Sequence, residues 1–101
     1  MRAVSDTSPI AKLASIGRLD VLKSQFWEIW IPTAVAQELE NHPDAVAVAA
    51  IQAPLNEGWI VSTAASQSTF LSTLLLHIHP GEAEAIALAV DLKANLVLID
   101  E

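Results

Sequence analysis

Apolar positions along the chain follow two alternating periods, one typical of β-strands and one typical of α-helices. Short apolar runs bounded by turn residues predict strands at 2–5, 26–32, 58–63 and 95–100. Between them, apolar residues recur at three- and four-residue intervals. This spacing predicts helices at 9–16, 18–26, 32–42, 45–55 and 81–94, with Gly17 separating the first two and Pro54 ending the fourth. Residues 65–79 predict a loop followed by a short helix.

Strands that alternate with helices favour a parallel sheet with helices on both of its faces. The uninterrupted "LVLI" at 96–99 is typical of a strand buried in such a sheet. We therefore predict an α/β fold, a three-layer α/β/α sandwich around a parallel sheet of about four strands. No internal repeat or low-complexity linker divides the chain, so residues 1–101 are expected to form one domain.

Composition narrows the classes of protein to which the chain can belong. Hydrophobic residues make up 52% and charged residues 17%, which predicts either a well-covered core or apolar surface buried against another subunit. No apolar run is long enough to span a membrane and no signal peptide is evident, so we expect a cytoplasmic protein. The absence of cysteine excludes disulfides and thiolate metal ligands. A net charge of −7 leaves no basic surface for nucleic acid, so metal ions would have to supply positive charge.

Five acidic residues fall where a parallel sheet gathers its ligands. Asp6 and Asp100 directly follow the first and last strands, whose carboxyl ends form the usual functional edge. Glu38 lies in the helix after the second strand, and Glu82 and Glu84 open the helix before the last one. Each acid alone is more simply a cap, a helix-dipole partner or a solvated residue. Together they predict a carboxylate cluster that a divalent cation neutralises, and hard oxygen ligands favour Mg²⁺ or Mn²⁺ over zinc.

The histidines are the remaining candidates for acid–base chemistry. His42, His77 and His79 are the three in the chain, and "HIHP" precedes a helix in what we interpret as a surface turn. We therefore predict no separate general base and no histidine metal ligand.

Four motifs carry a family resemblance. "VSDTSPI", "IPTAVAQEL", "HPGEAEAIALA" and "LVLIDE" resemble, in their order and approximate spacing, the sequences of PIN-domain proteins. The likeness is closest to a prokaryotic PIN-like group related to the toxin ribonucleases of VapBC-type toxin–antitoxin modules. It extends along the whole chain.

The resemblance implies a metal-dependent ribonuclease that prefers single-stranded RNA. Its metal ligands, for one or two Mg²⁺ or Mn²⁺ ions, would be Asp6, Glu38, Glu82 or Glu84, and Asp100 assisted by Glu101, with the hydroxyls of Thr7 and Ser8 supporting them. Counting back from Asp100 favours Glu82 as the third ligand, whereas the apolar pattern of the helix favours Glu84. Residues two apart on a helix point about 200° from each other, so one of the pair binds the ion, and we lean to Glu82. The family likeness also implies a small antitoxin protein as a partner.

The chain departs from the family's pattern at its end. Family members continue beyond the position of Glu101, so the sequence is expected to lack their C-terminal end, because the sequence is a fragment, the gene is shortened or another subunit completes the sheet. Together with the high apolar content, this predicts a homodimer or a partner subunit. The alternative function is a catalytically impaired PIN-like protein that acts through dimerisation or partner binding. A phosphatase or small-molecule enzyme is disfavoured by the lack of a phosphate-binding glycine loop.

Overall fold

One parallel sheet forms the centre of the protein, which we describe from a computed structural model covering residues 2–100. Glu101, expected to assist Asp100, lies outside the described residues. The strands are β1 (Ala3–Ser5), β2 (Ile29–Pro32), β3 (Ile60–Thr63) and β4 (Leu96–Leu98), in the spatial order β3-β2-β1-β4. The helices are α1 (Thr7–Ser15), α2 (Asp20–Phe26), α3 (Thr33–Glu40), α4 (Ala45–Ala50), α5 (Gln52–Glu57), α6 (Thr69–Leu75) and α7 (Pro80–Leu92). The predicted α/β fold with a four-stranded parallel sheet is confirmed.

Two apolar clusters cover the two faces of the sheet, as side chains that alternate along a strand require. On one face, Ala3 and Ile29 pack with the buried side chains of α1 to α4. On the other face, Val4 packs with α6 and with the buried alanines of α7. These clusters define three layers. Helix α7 is buried on several sides, because it packs against α3, α6 and the sheet.

Two predicted boundaries are wrong, one because of packing in the core and one because of local helix geometry. The second strand was expected to begin at Phe26, but it begins at Ile29; Phe26, which was also predicted as the last residue of the second helix, ends α2 with its ring buried in the core. Pro54 was expected to end a helix, but it lies in the first turn of α5, where a missing N–H costs no helical hydrogen bond. Gly58 ends α5 instead, with a left-handed φ of +84° that suits glycine.

The last strand differs most from its prediction. "LVLI" was expected to be a buried strand, but β4 stands at the edge of the sheet beside β1, and Leu96 and Ile99 remain 39% and 37% exposed. The prediction was wrong because an apolar run indicates burial without indicating the strand's place in the sheet. Within residues 2–100, nothing pairs with the outer edge of β4.

Large exposed side chains occur mainly outside the sheet. Trp27 after α2 is 82% exposed, and Leu76 after α6 is 80% exposed, with Phe70 and Leu75 of α6 also exposed. None of the helices in the described part of the chain is both long and apolar enough to cross a membrane.

Candidate functional site

Asp6 is held at the carboxyl end of β1 by both its main chain and its side chain. Its main-chain N–H donates to the Leu98 carbonyl over 3.0 Å, which continues the pairing with β4. Its Oδ1 accepts from the Thr7 main-chain N–H over 2.8 Å and caps α1. Ser5, which is fully buried, donates its hydroxyl to the Asp6 carbonyl. The carboxylate is therefore fixed at the sheet edge, where its position was predicted.

Glu38 reaches the same edge from α3. Its Oε2 accepts a hydrogen bond from the Thr7 hydroxyl over 3.0 Å, so Thr7 contacts both acids through different atoms. Its Oε1 lies 3.7 Å from Nδ1 of His79, and its side chain is 33% exposed. Of the two hydroxyls predicted to support the acids, Thr7 takes this role directly, while Ser8 lies half-buried in the first turn of α1.

Gly81 shows how closely the two carboxylates converge. A Cβ placed on Gly81 would lie 2.3 Å from Oε1 of Glu38 and 3.1 Å from Oδ1 of Asp6. Both oxygens are thus close to one point at the start of α7. The glycine of "HPGE" therefore lets the Glu38 carboxylate approach the first turn of α7 without being displaced by a side chain.

The glutamates of α7 have separate surroundings. Glu82 lies half-buried in the first turn of the helix. Glu84 lies one position beyond that turn, and its Oε1 accepts from the Ala34 main-chain N–H over 3.4 Å, close to the start of α3. One carboxylate therefore interacts with the positive end of a neighbouring helix.

Asp100 follows β4 and forms an ion pair with Lys12 of α1. Both side chains are accessible to solvent, at 35% for Asp100 and 68% for Lys12. The pair lies at one end of a groove between β4 and the first two helices.

The histidines lie between helices, as expected, and His79 also caps a helix, which the sequence did not predict. His42 accepts from the Asp44 main-chain N–H in the turn between α3 and α4, and His77 is exposed in the turn after α6. His79 caps α7, because its Nδ1 accepts from the Gly81 N–H over 3.2 Å, and it lies beside Glu38. The Pro80 and Gly81 that follow it, a proline at the first helical position and a glycine next, were the signal for a helix start at this point.

The carboxylate oxygens at this edge are ligands of a type that divalent cations prefer, but only a few of them lie close together. Among residues 2–100 no group of three or more acids or histidines is arranged to hold a metal ion. Asp6 and Glu38 are two hard oxygen donors facing one point, and Mg²⁺ is commonly bound through one or two carboxylates while keeping several waters. Asp6 and Glu38 are therefore ligands of the kind that such an ion prefers, although each of them, like Glu84 and Asp100, already has a partner in the fold.

Comparisons with known proteins identify the family. No curated protein and no solved structure matched the chain significantly. A family model described as PIN domain matches residues 2–101, nearly the whole sequence. This match agrees with the parallel α/β sheet and with acids at its carboxyl edge. PIN domains have a nuclease-type fold and are generally dependent on divalent metals, and the family suggests a role connected with RNA. The chain belongs to the PIN-domain family.

Proposed function

We propose that the protein is a PIN-type endoribonuclease that hydrolyses single-stranded RNA with Mg²⁺ or Mn²⁺ held by Asp6 and Glu38. The observation that carries the proposal is the approach of both carboxylates to one point above Gly81. The low content of basic residues, five in the chain, supports a role for a cation in phosphate binding.

The chain's own contribution is to fix the two carboxylates before substrate arrives. Thr7 donates to Asp6 through its main chain and to Glu38 through its hydroxyl, so one residue couples the positions of both acids. A bound divalent ion would supply an acidified water as nucleophile and positive charge for the leaving oxygen. The proposal also covers Glu82, Glu84 and Asp100 as further ligands, which would have to turn toward the site or, for Glu84 and Asp100, leave their present partners.

RNA cleavage by matched variants tests the proposal. We expect the purified chain to cleave a fluorescent single-stranded RNA in Mn²⁺ and to lose this activity in a chelator. Asp6→Asn and Glu38→Gln keep the side-chain shape but remove one charge, and each should reduce the rate at least about 100-fold, as loss of a group that positions the reaction does. Glu40→Gln, on the exposed side of the same helix, and Asp20→Asn are the matched controls. Full activity of both site variants, or activity without divalent metal, would refute the assignment.

A catalytically impaired PIN-like protein is the second candidate. It is favoured by the engagement of Glu84 with the start of α3 and of Asp100 with Lys12. Calorimetric titration with Mn²⁺ and the RNA cleavage assay together separate the two functions. An impaired protein should bind the ion weakly in the first and release no cleavage products in the second.

We also propose that the protein acts in the cytoplasm as a homodimer or with a small antitoxin protein. The exposed apolar side chains of Phe70, Leu75 and Leu76 support such a contact, since a partner would remove them from water. Light scattering, which measures the molecular mass in solution, tests the homodimer by comparing the unsubstituted chain with the Leu76→Glu variant. A monomer in the unsubstituted chain would count against the homodimer, and failure to co-purify with an antitoxin expressed beside it would count against that partner.

A further inference from the structure

A surface groove whose lining is more apolar than polar adjoins Glu38 of the carboxylate pair. We call it the α3–α7 groove; it has a volume of about 390 Å³, within the range of ligand pockets. It is lined by Ala34, Gln37, Glu38, Asn41, His79 and Pro80. Three lining residues belong to α3 and Asn41 caps its C-terminal end; the four follow i, i+3, i+4, i+7 spacing and so lie on one face of the helix. Glu38 belongs to this face as well as to the carboxylate pair.

The lining of the groove disfavours an anionic ligand. Glu38 is the one charged side chain that lines it, and no lysine or arginine does. A phosphate placed there would meet a carboxylate with no compensating base from the lining residues. Ala34 and Pro80 add apolar surface, and the imidazole of His79 adds a flat face. The groove therefore suits a neutral, planar group that carries both hydrogen-bond donors and acceptors.

Three polar side chains of the groove have donor or acceptor atoms that a ligand could use. Asn41 uses its amide nitrogen to donate to the Gln37 carbonyl over 2.9 Å, which leaves its Oδ1 as an acceptor. His79 uses Nδ1 to accept from Gly81, so the neutral ring carries its hydrogen on Nε2 and can donate from there. The side-chain amide of Gln37 is exposed and offers both a donor and an acceptor.

We propose that the α3–α7 groove binds one unpaired nucleobase of the RNA, next to the phosphate that is cleaved. Amide groups read the hydrogen-bonding edge of a base, and an imidazole can stack on its face, as in sequence-specific recognition of single-stranded RNA. The base must be unpaired, because its edge and face are then free. Gln37 and Asn41 are the specificity-determining residues, and His79 is the stacking and donating residue. The inference rests on the proposed function, since it places the base beside the carboxylates that would act on its phosphate.

Binding of uncharged nucleosides tests the inference without any cleavage. Uridine, cytidine and adenosine are titrated into the isotope-labelled chain without divalent metal, and the side-chain amide signals of Gln37 and Asn41 and the ring signals of His79 are followed. We expect saturable shifts at these three residues with a millimolar Kd for at least one nucleoside. Inorganic phosphate should leave them unchanged. Shifts with phosphate but with no nucleoside would overturn the inference.

Variants separate a binding role from a structural one. Gln37→Ala and Asn41→Ala should each weaken nucleoside binding roughly five- to tenfold, the effect of one lost hydrogen bond. Gln52→Ala and Asn56→Ala remove the same groups from the exposed surface of α5 and serve as controls. His79→Ser keeps a capping hydroxyl for α7 but removes the ring, so it should weaken binding with little change in stability. Binding unchanged in all three groove variants would refute the assignment.

Cleavage specificity distinguishes failure of this inference from failure of the proposed function. On a pool of RNA oligonucleotides, Gln37→Ala and Asn41→Ala should change the base preference at the cleaved position while cleavage persists. If Asp6→Asn abolishes cleavage but no groove variant alters nucleoside binding or base preference, the nuclease assignment stands and the base site is wrong. If Asp6→Asn leaves cleavage intact while the groove variants lose nucleoside binding, the base site stands and the nuclease assignment is wrong.

Discussion

Replacing Gly81 with alanine should separate stability from metal binding. A glycine-to-alanine change inside a helix ordinarily stabilises a protein by about 0.5–1 kcal/mol, because alanine loses less conformational freedom on folding. Here the new methyl group would lie 2.3 Å from Glu38 Oε1, whereas ordinary contacts begin at 3.4 Å. The carboxylate must therefore move by about 1 Å, and it can do so because it ends a flexible side chain.

The displacement of the Glu38 carboxylate should affect both the stability of the fold and metal binding. Moving Glu38 breaks its 3.0 Å hydrogen bond from the Thr7 hydroxyl, which costs about 0.5–1.5 kcal/mol and offsets the gain from alanine. We expect a free energy of unfolding within about 1 kcal/mol of the unsubstituted chain. The site itself loses the convergence of its two acids, and a shift of about 1 Å at such a centre can reduce the rate about 100-fold. Mn²⁺ affinity should fall as well.

Urea denaturation and Mn²⁺ calorimetry on four proteins measure both effects. The set is the unsubstituted chain, Gly81→Ala, Glu38→Ala and the double variant. In the Glu38→Ala background the 2.3 Å contact is gone and only the 3.1 Å contact with Asp6 Oδ1 remains, so Gly81→Ala should there stabilise the protein more than it does in the unsubstituted chain, by up to about 1 kcal/mol. The reasoning is refuted if Gly81→Ala stabilises both backgrounds equally and leaves Mn²⁺ affinity unchanged.

Three further substitutions test the core, a position with positive φ and a helix cap. Leu39→Ala removes a side chain that is 2% exposed beneath α3 and should cost about 2–5 kcal/mol, measured by urea denaturation; a cost below 1 kcal/mol would contradict its place in the core. Trp27→Gly should raise the free energy of unfolding by up to about 1 kcal/mol, because Trp27 is exposed and its φ is +68°; a lower melting temperature would contradict this. The Ser15 hydroxyl and the main-chain N–H groups of α4 hold the pKa of the Asp44 carboxyl below its ordinary value of 3.8. Because folding lowers this pKa, the Asp44 carboxylate stabilises the protein above its ordinary pKa of 3.8, and this stabilisation is lost as the pH falls through the folded-state pKa. Asp44→Asn should therefore lower the urea midpoint at neutral pH and lose this effect in acid. An equal deficit at both pH values would contradict the linkage.

The sequence predicts the layers of the sandwich better than it predicts which strands and side chains are adjacent. The alternation of strands and helices was enough for the parallel sandwich, because apolar periodicity reports which face of an element is buried. It could not place β4 at the sheet edge, since strand order depends on contacts between distant segments. The approach of Glu38 to Asp6 depends on packing of α3 beside the start of α1, where Thr7 and Glu38 are 31 residues apart in the chain, and on the missing side chain of Gly81. Pro80 and Gly81 indicated a helix start, and only the packed structure gives Gly81 a role beside the carboxylates.

The arrangement of charge in the fold leads to a prediction of metal number. The two carboxylates that converge, Asp6 and Glu38, carry two negative charges, which one divalent ion balances. Asp100 already faces the charge of Lys12, and Glu84 faces the start of α3, so neither leaves an unbalanced charge that calls for a second ion. We therefore expect calorimetry with Mn²⁺ to give one ion per chain, and Asp6→Asn to abolish the binding. Lys12→Met should leave the stoichiometry at one, because Asp100 exposed to water is stable without a cation. A stoichiometry of two in the unsubstituted chain would show that Asp100, Glu82 or Glu84 reorients to bind metal.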